Sequence, residues 1–235
     1  MESKKIIITG GLGFLGYSLL KKFQSKNNIL VIDNLSSNVH KIEEIKNYKS
    51  CELVNLDITD NKINKVIKSY NPDYIIHTAA QTSAHVAWKE PISDLEVNVG
   101  GLIRIIENYR KRRIVPFILF LGNATQIGMT HSELEAKDKK CDQPITFYDL
   151  SKNTAEKYLL QYINAGLIQG CSLRLCNVYG TAGNRQNSDR GILDKMMKRA
   201  LNGNDLTVYG DGSYIRDYIH LDDVAGSIIA AVNSR

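Results

Sequence analysis

The sequence predicts an α/β fold, a doubly wound parallel sheet with helices on both faces and a small C-terminal lobe. Two observations predict it. Short apolar strands alternate with helical patterns from Lys4 to Cys176, which is the signature of βαβ units. The first strand also runs into four glycines, Gly10, Gly11, Gly13 and Gly16, that open a helical pattern. Right-handed crossovers in such a sheet leave a ligand crevice at the carboxyl ends of the strands.

The elements follow in order. Lys4–Thr9 (KKIIIT) is a β-branched strand, and Phe14–Lys26 has helical periodicity. Asn28–Asp33 (NILVID) is a second buried strand and Glu52–Asn55 a weaker third. Asn61–Ser69 is amphipathic, Asp73–His77 (DYIIH) is the fourth strand, and Asp94–Arg113 is one long helix. Pro116–Leu121 (PFILFL) is the fifth strand, Tyr148–Asn164 a second long helix and Cys171–Cys176 (CSLRLC) the sixth strand. After Asn177 the texture changes. Gly180–Arg190 is rich in Gly, Asn, Ser and Arg, with a helix near Gly191–Leu201, a strand near Leu206–Tyr209 and an apolar helix from Leu221. Residues 1–177 therefore read as one domain and 178–235 as a partial lobe that covers a substrate.

The composition is that of a soluble globular protein: 235 residues, 43% hydrophobic and 23% charged. The net charge of +5 is spread along the chain. It favours an anionic substrate. The one basic run, Arg110–Arg113, ends a helical pattern and reads as a solvated helix terminus rather than a nucleic-acid surface. MESKK leads straight into a strand with no apolar signal core, and no apolar run approaches the ~18 residues of a membrane span. The four cysteines lack zinc or CxxC spacing and read as reduced thiols of a cytoplasmic protein. His77, His85, His131 and His220 lack metal-ligand spacing, so no metal is expected and His77 reads as a packed core residue.

The glycine turn carries the chemistry. Gly11, Gly13 and Gly16 fit GxGxxG, and Gly10, Gly13 and Gly16 equally fit GxxGxxG. Glycine is needed because a Cβ would block the approach of backbone to a pyrophosphate, which the following helix N-terminus (Phe14, Leu15) then receives. The strand before and the helix after are the context that makes the motif a dinucleotide site of Rossmann type. Asp33 closes the second strand, where an acid accepts ribose hydroxyls and repels a 2′-phosphate, so the cofactor expected is NAD. A turn cap is the alternative for Asp33. Asp57, followed by Ile58, could receive the adenine amino group, or could simply cap its turn.

These residues resemble the extended short-chain dehydrogenase/reductase family, in particular its nucleotide-sugar epimerases and dehydratases. The motifs are TGGLGFLG (Thr9–Gly16), VIDNLSS (Val31–Ser37), HTAAQ (His77–Gln81), VNVGG (Val97–Gly101), YDLSK (Tyr148–Lys152), LRLCNVYG (Leu173–Gly180) and RDYIHLDDVA (Arg216–Ala225). DNLSS and the layout look most like the UDP-glucose 4-epimerase branch. The resemblance implies that Asn34, Ala79, Ala80 and Gln81 lie along NAD, with Asn98 on the helix behind. It implies that Asn177 and Arg216 face the diphosphate of a nucleotide sugar and that Tyr209 lies near its nucleoside.

Tyr148 and Lys152 are four apart on a helix and share a face. A free phenol is a poor base at neutral pH, but a neighbouring ammonium favours the phenolate. Tyr148 can then take a proton from a sugar hydroxyl while hydride leaves the same carbon for NAD, with Lys152 also holding the nicotinamide ribose. The third catalytic position departs from the family pattern. Asn123 falls where a Ser or Thr is usual, in Leu121–Gly128 (LGNATQIG). An amide can donate to a keto oxygen but cannot relay a proton. Thr125 is expected to compensate in part if the strand continues and puts both residues on one face. The acidic pair that dehydratases carry next is here Ala124 and Thr125, so hydride removal and return is expected without loss of water.

The expected function is NAD-dependent epimerisation of a nucleotide sugar at C4. A keto-sugar reductase and an NAD-binding protein of low activity are the rivals. Family members run beyond the position of Arg235, so the lobe reads as incomplete: a shortened piece, a natural truncation or a degraded gene product. The two long helices pair in family homodimers, and a homodimer is expected.

Overall fold

The computed structural model describes residues 2–36, 42–128, 142–180, 192–208, 210–213 and 215–234. Six parallel strands form the main sheet: β1 (Lys5–Thr9), β2 (Asn28–Asp33), β3 (Cys51–Asn55), β4 (Tyr74–His77), β5 (Phe117–Asn123) and β6 (Gln169–Leu175). Their order is β3-β2-β1-β4-β5-β6. The direction of winding reverses between β1 and β4, which opens the crevice there.

Alternation along the strands builds two cores. Ile6, Ile8, Ile29, Val31, Ile76, Leu119 and Leu121 point to one face. Ile7, Leu30, Ile32, Ile75, Ile118 and Phe120 point to the other. This period-2 split is why the strands read as continuous apolar runs. Each such side chain contributes about 1.5–3 kcal/mol on burial.

Helices cover both faces: α1 (Phe14–Phe23), α2 (Ile42–Lys46), α3 (Ile63–Tyr70), α4 (Ala84–Lys89), α5 (Pro91–Leu95), α6 (Gly101–Glu107), α7 (Phe147–Asn164), α8 (Ile192–Leu201) and α9 (Leu221–Asn233). The helix expected over Asp94–Arg113 is not uniform. A π-helical segment, Glu96–Gly100, joins α5 to α6, and α6 ends at Glu107. Two further strands, β7 (Asn177–Tyr179) and β8 (Tyr218–His220), form a small parallel sheet. The strand expected near Leu206–Tyr209 is absent from its described part. Leu206 and Val208 are exposed, and among the described residues no strand pairs with them. The apolar helix after Leu221 does form. Its Val224, Ala225, Ile228 and Val232 join the core beneath α1.

Candidate active site

The glycine turn is held from three sides. The Gly10 N–H donates to Ile32 O at 2.7 Å, and Gly10 adopts φ +66°. A Cβ there would sit 2.7 Å from the Ala79 Cα. A Cβ on Gly16 would strike the Gly10 carbonyl and the Gly11 Cα. The turn thus packs backbone on backbone, and only glycine fits both positions. Gly13 caps α1 with no side chain in the way, leaving the positive end of the helix dipole facing the crevice. That is the cradle a pyrophosphate requires.

Asp33 is buried at the end of β2. Its Oδ2 accepts the Leu12 N–H at 2.9 Å and its Oδ1 accepts the Leu35 N–H at 2.8 Å. It therefore ties the glycine turn to the second strand. Asn34 donates to Asp57 Oδ2 at 2.7 Å, and Asp57 Oδ1 caps its own turn through the Thr59 N–H and hydroxyl. Burial pushes the Asp57 carboxyl up, but these hydrogen bonds and the Arg104 charge outweigh it and hold the group below its usual range. The Ile58 side chain is buried in the core against Gly101, so what it can offer a ligand is its main chain.

Beyond β4 the chain passes the turn through Thr78, whose hydroxyl donates to Thr9 O at 2.6 Å. Ala79, Ala80 and Gln81 follow. Asn98, on the π-helical segment, clamps this loop. It accepts the Gln81 N–H at 3.0 Å and donates to Gln81 O at 3.1 Å. Its amide also reaches Asp94 Oδ1 and Ser151 Oγ, both at 3.0 Å. Ser151 in turn donates to Tyr148 O. Asp94 and Ser151 were not anticipated from the sequence. Their signal was spacing: Asp94 is one helical turn before Asn98, and Ser151 is next to Lys152. His77 lies beneath, with Nδ1 at 2.8 Å from the Thr9 hydroxyl. Burial, with the Lys152 charge behind it, lowers its pKa to about 3.

Helix α7 begins with a capping box. Thr146 accepts the Asp149 N–H at 3.1 Å, and Asp149 accepts the Thr146 N–H and hydroxyl. Tyr148 is half-buried and Lys152 only 4% exposed. The Lys152 ammonium stands 4.0 Å from the centre of the Phe120 ring. Loss of water lowers its pKa to about 7, against the upward pull of Glu156 and Asp94.

β5 stops at Asn123, so the condition under which Thr125 would share a strand face with Asn123 is not met. The Asn123 N–H donates to Gln126 Oε1 at 2.7 Å, and its Oδ1 accepts the Thr125 N–H at 3.2 Å. This cap turns Ala124–Ile127 into a 3₁₀ helix. Thr125 does not share a strand face with Asn123; its hydroxyl donates to the Asp149 carboxylate. Gln126 donates to Glu156 Oε2 at 2.9 Å. With its carbonyl used in the cap, Asn123 retains its NH₂ as a donor.

In the C-terminal part, Asn177 N and Nδ2 both donate to Asp217 O, at 3.1 and 3.0 Å. Asn177 pairs with Tyr218 in register, and both Asn177 and Arg216 are exposed. Asn177 thus lies on β7, and Arg216 lies two residues before the paired strand β8. Tyr209 and His131 lie outside the described residues. Among the described residues, no group of three His, Cys, Asp or Glu side chains is able to hold a metal, and no helix is long and apolar enough to cross a membrane.

With this sheet order, glycine cradle and Tyr148–Lys152 helix, the chain belongs to the NAD-dependent epimerase/dehydratase family, whose model matches residues 6–235. The chain is 28% identical over 234 residues to UDP-glucose 4-epimerase of Mycolicibacterium smegmatis, covering 97% of this chain and 72% of that one. Among solved structures it resembles UDP-N-acetylglucosamine 4-epimerase from Methanobrevibacter ruminantium, in complex with UDP-N-acetylmuramic acid. The TM-score is 0.89 at 25% identity, over 99% of this chain and 74% of that one. It also resembles the UDP-glucose 4-epimerase of Thermus thermophilus in complex with NAD, at TM-score 0.80 and 26% identity over 97% of this chain and 74% of that one. The cofactor of the family is NAD.

Proposed function

We propose that this chain epimerises a nucleotide sugar at C4. The observation that carries the reading is the Tyr148–Lys152 face of α7, with its buried ammonium, beside the turn that holds Asn123. Bound NAD would supply reversible hydride acceptance, and the keto sugar turns between the two transfers so that its other face receives the hydride. Tyr148 takes the proton of the C4 hydroxyl and gives it back. The Lys152 charge favours the phenolate, and the Asn123 NH₂ donates to the same sugar oxygen as it becomes a carbonyl. Gly10, Gly13, Phe14 and Leu15 hold the pyrophosphate, and Asp33, Asn34, Asp57 and Ile58 the adenosine side. Ala79, Ala80, Gln81 and Asn98 line the remainder. Asn177 and Arg216 receive the diphosphate of the sugar nucleotide, with Tyr209 at its nucleoside. The protein works in the cytoplasm, where its cysteines stay reduced.

A second reading is favoured by Asn123 itself. Its carbonyl is spent on a cap and its amide cannot relay a proton, which suits an NAD-binding protein of low activity. One experiment separates the two. The purified protein is assayed for co-purifying NAD and offered UDP-, dTDP-, GDP- and CDP-sugars. Conversion of a sugar to its C4 epimer, abolished in Tyr148→Phe, supports the epimerase. NAD without turnover on any sugar supports the second reading, and net NADH consumption points to a reductase.

We also propose that a second copy of the chain packs on α5 and α7. These helices touch, and Ile92, Leu95, Leu150 and Tyr158 on them are exposed. Exposed apolar side chains on two touching helices suit association.

A further inference from the structure

We infer that Asp149 is a positioning residue: its carboxylate locks the Asn123–Ile127 turn to the first turn of α7 and so fixes Asn123 opposite Tyr148. The role assigned to that pair rests on the epimerase reading above. Asp149 is buried, yet its two oxygens serve two different segments. One accepts the Thr125 hydroxyl and the other the Thr146 hydroxyl, at 2.6 Å for Thr146. The Thr146 contact is a helix cap, which any capping acid would supply. The Thr125 contact is not part of a cap. It reaches across 24 residues to the turn that follows β5.

A second tie runs parallel to it. Gln126 donates to Glu156 and holds the Asn123 N–H through its other amide atom. Asp149, Lys152 and Glu156 occupy positions i, i+3 and i+7, so they form one buried stripe on α7. Asp149 and Glu156 flank Lys152 along the helix, and both grip the same four-residue turn. Neighbouring residues of that turn, Thr125 and Gln126, are thus each pinned to α7. The turn cannot slide along the helix, and Asn123 keeps its register with Tyr148 and Lys152. Glu156 is also shared with Arg174 on β6, whereas the other partner of Asp149 among the described residues is the capping threonine. Removing the Asp149 carboxylate therefore releases the turn at its Tyr148 end, with β6 left in place.

The test uses the NAD-loaded full chain. A capping role predicts that Asp149→Ala behaves like Thr146→Val. A positioning role predicts that it behaves like Thr125→Val. The expected result is a fall in kcat on the order of 10- to 100-fold for Asp149→Ala and Thr125→Val, with KM and NAD content held. The double variant falls no further than either single, because one link is cut twice. Thr146→Val keeps kcat within about 2-fold while losing thermal stability. Asp149→Asn restores most of kcat, since its carbonyl still accepts from Thr125 and its NH₂ can donate to Thr146. Additive losses in the double variant, or Asp149→Ala tracking Thr146→Val, overturn the proposal. If the wild-type protein converts no sugar, the epimerase reading fails by itself. Hydrogen exchange then decides: Asp149→Ala should raise exchange at Thr125 and Gly128 about 10-fold or more, and unchanged exchange there overturns the clamp.

Discussion

A buried ammonium must be held by other charges, and Lys152 has two acids, Glu156 and Asp94, to do so. Its pKa still falls from 10.5 to about 7. The consequence for stability has a definite sign. Below pH about 7 the group is charged in both states and the cost of burying it is fully in force. Between there and 10.5 the folded chain has released the proton and the unfolded chain has not. Stability therefore rises with pH across that window, by up to ~1.4 kcal/mol per unit. His77, facing the same ammonium, stays neutral throughout. Urea titrations at pH 7 and 9 should show the wild-type protein gaining on Lys152→Met between the two; parallel behaviour would refute the buried charge. Asn123 makes a second prediction at this scale. If it limits catalysis, Asn123→Thr raises kcat about 10-fold or more by supplying a hydroxyl. No change in kcat would mean that a donor alone suffices.

At the scale of elements, the glycine turn and α7 were legible because their signals are local. The turn needs a positive φ at Gly10 and bare backbone at Gly16, and those demands appear as letters in the sequence. Gly10→Ala should place a methyl into the Ala79 backbone, and we expect co-purifying NAD to be lost. A variant that retained NAD would show that the cradle tolerates a side chain. The Tyr148–Lys152 pair was legible from helical spacing. Asp94, Ser151, Asp149 and Glu156 were not. Polar residues within a helical pattern read as a solvent face, and only the fold reveals that loops from β4 and β5 descend onto them. The strand expected near Leu206–Tyr209 did not form over its described part, because strand formation depends on a partner that local letters do not record.

At the scale of the molecule, the doubly wound parallel sheet followed from the alternation of strands and helices. The smaller sheet of β7 and β8 did not, because its strands are three residues each and 38 residues separate them. The proposed dimer belongs to this scale. Sedimentation of the full chain should give twice the monomer mass, and Leu150→Glu, on the exposed face of α7, should return it to a monomer. A monomeric wild-type protein would remove the proposal and leave the apolar side chains on α5 and α7 to be accounted for. Both outcomes are independent of turnover, so assembly and chemistry can be judged apart.

The π-helical segment at Glu96–Gly100 has a consequence for how such a chain can change over generations. A π turn closes its hydrogen bond over one more residue than an α turn. It offsets the phase of everything before it from everything after it by about 100°. Asp94 can therefore face Gln81 while Leu102, Ile105 and Ile106 keep their places in the core. Deleting a single residue there would restore regular pitch and swing one of these two faces away. The segment is a phase adjuster: it lets substitutions in the site and substitutions in the core be tried separately, along what is otherwise a single rigid rod.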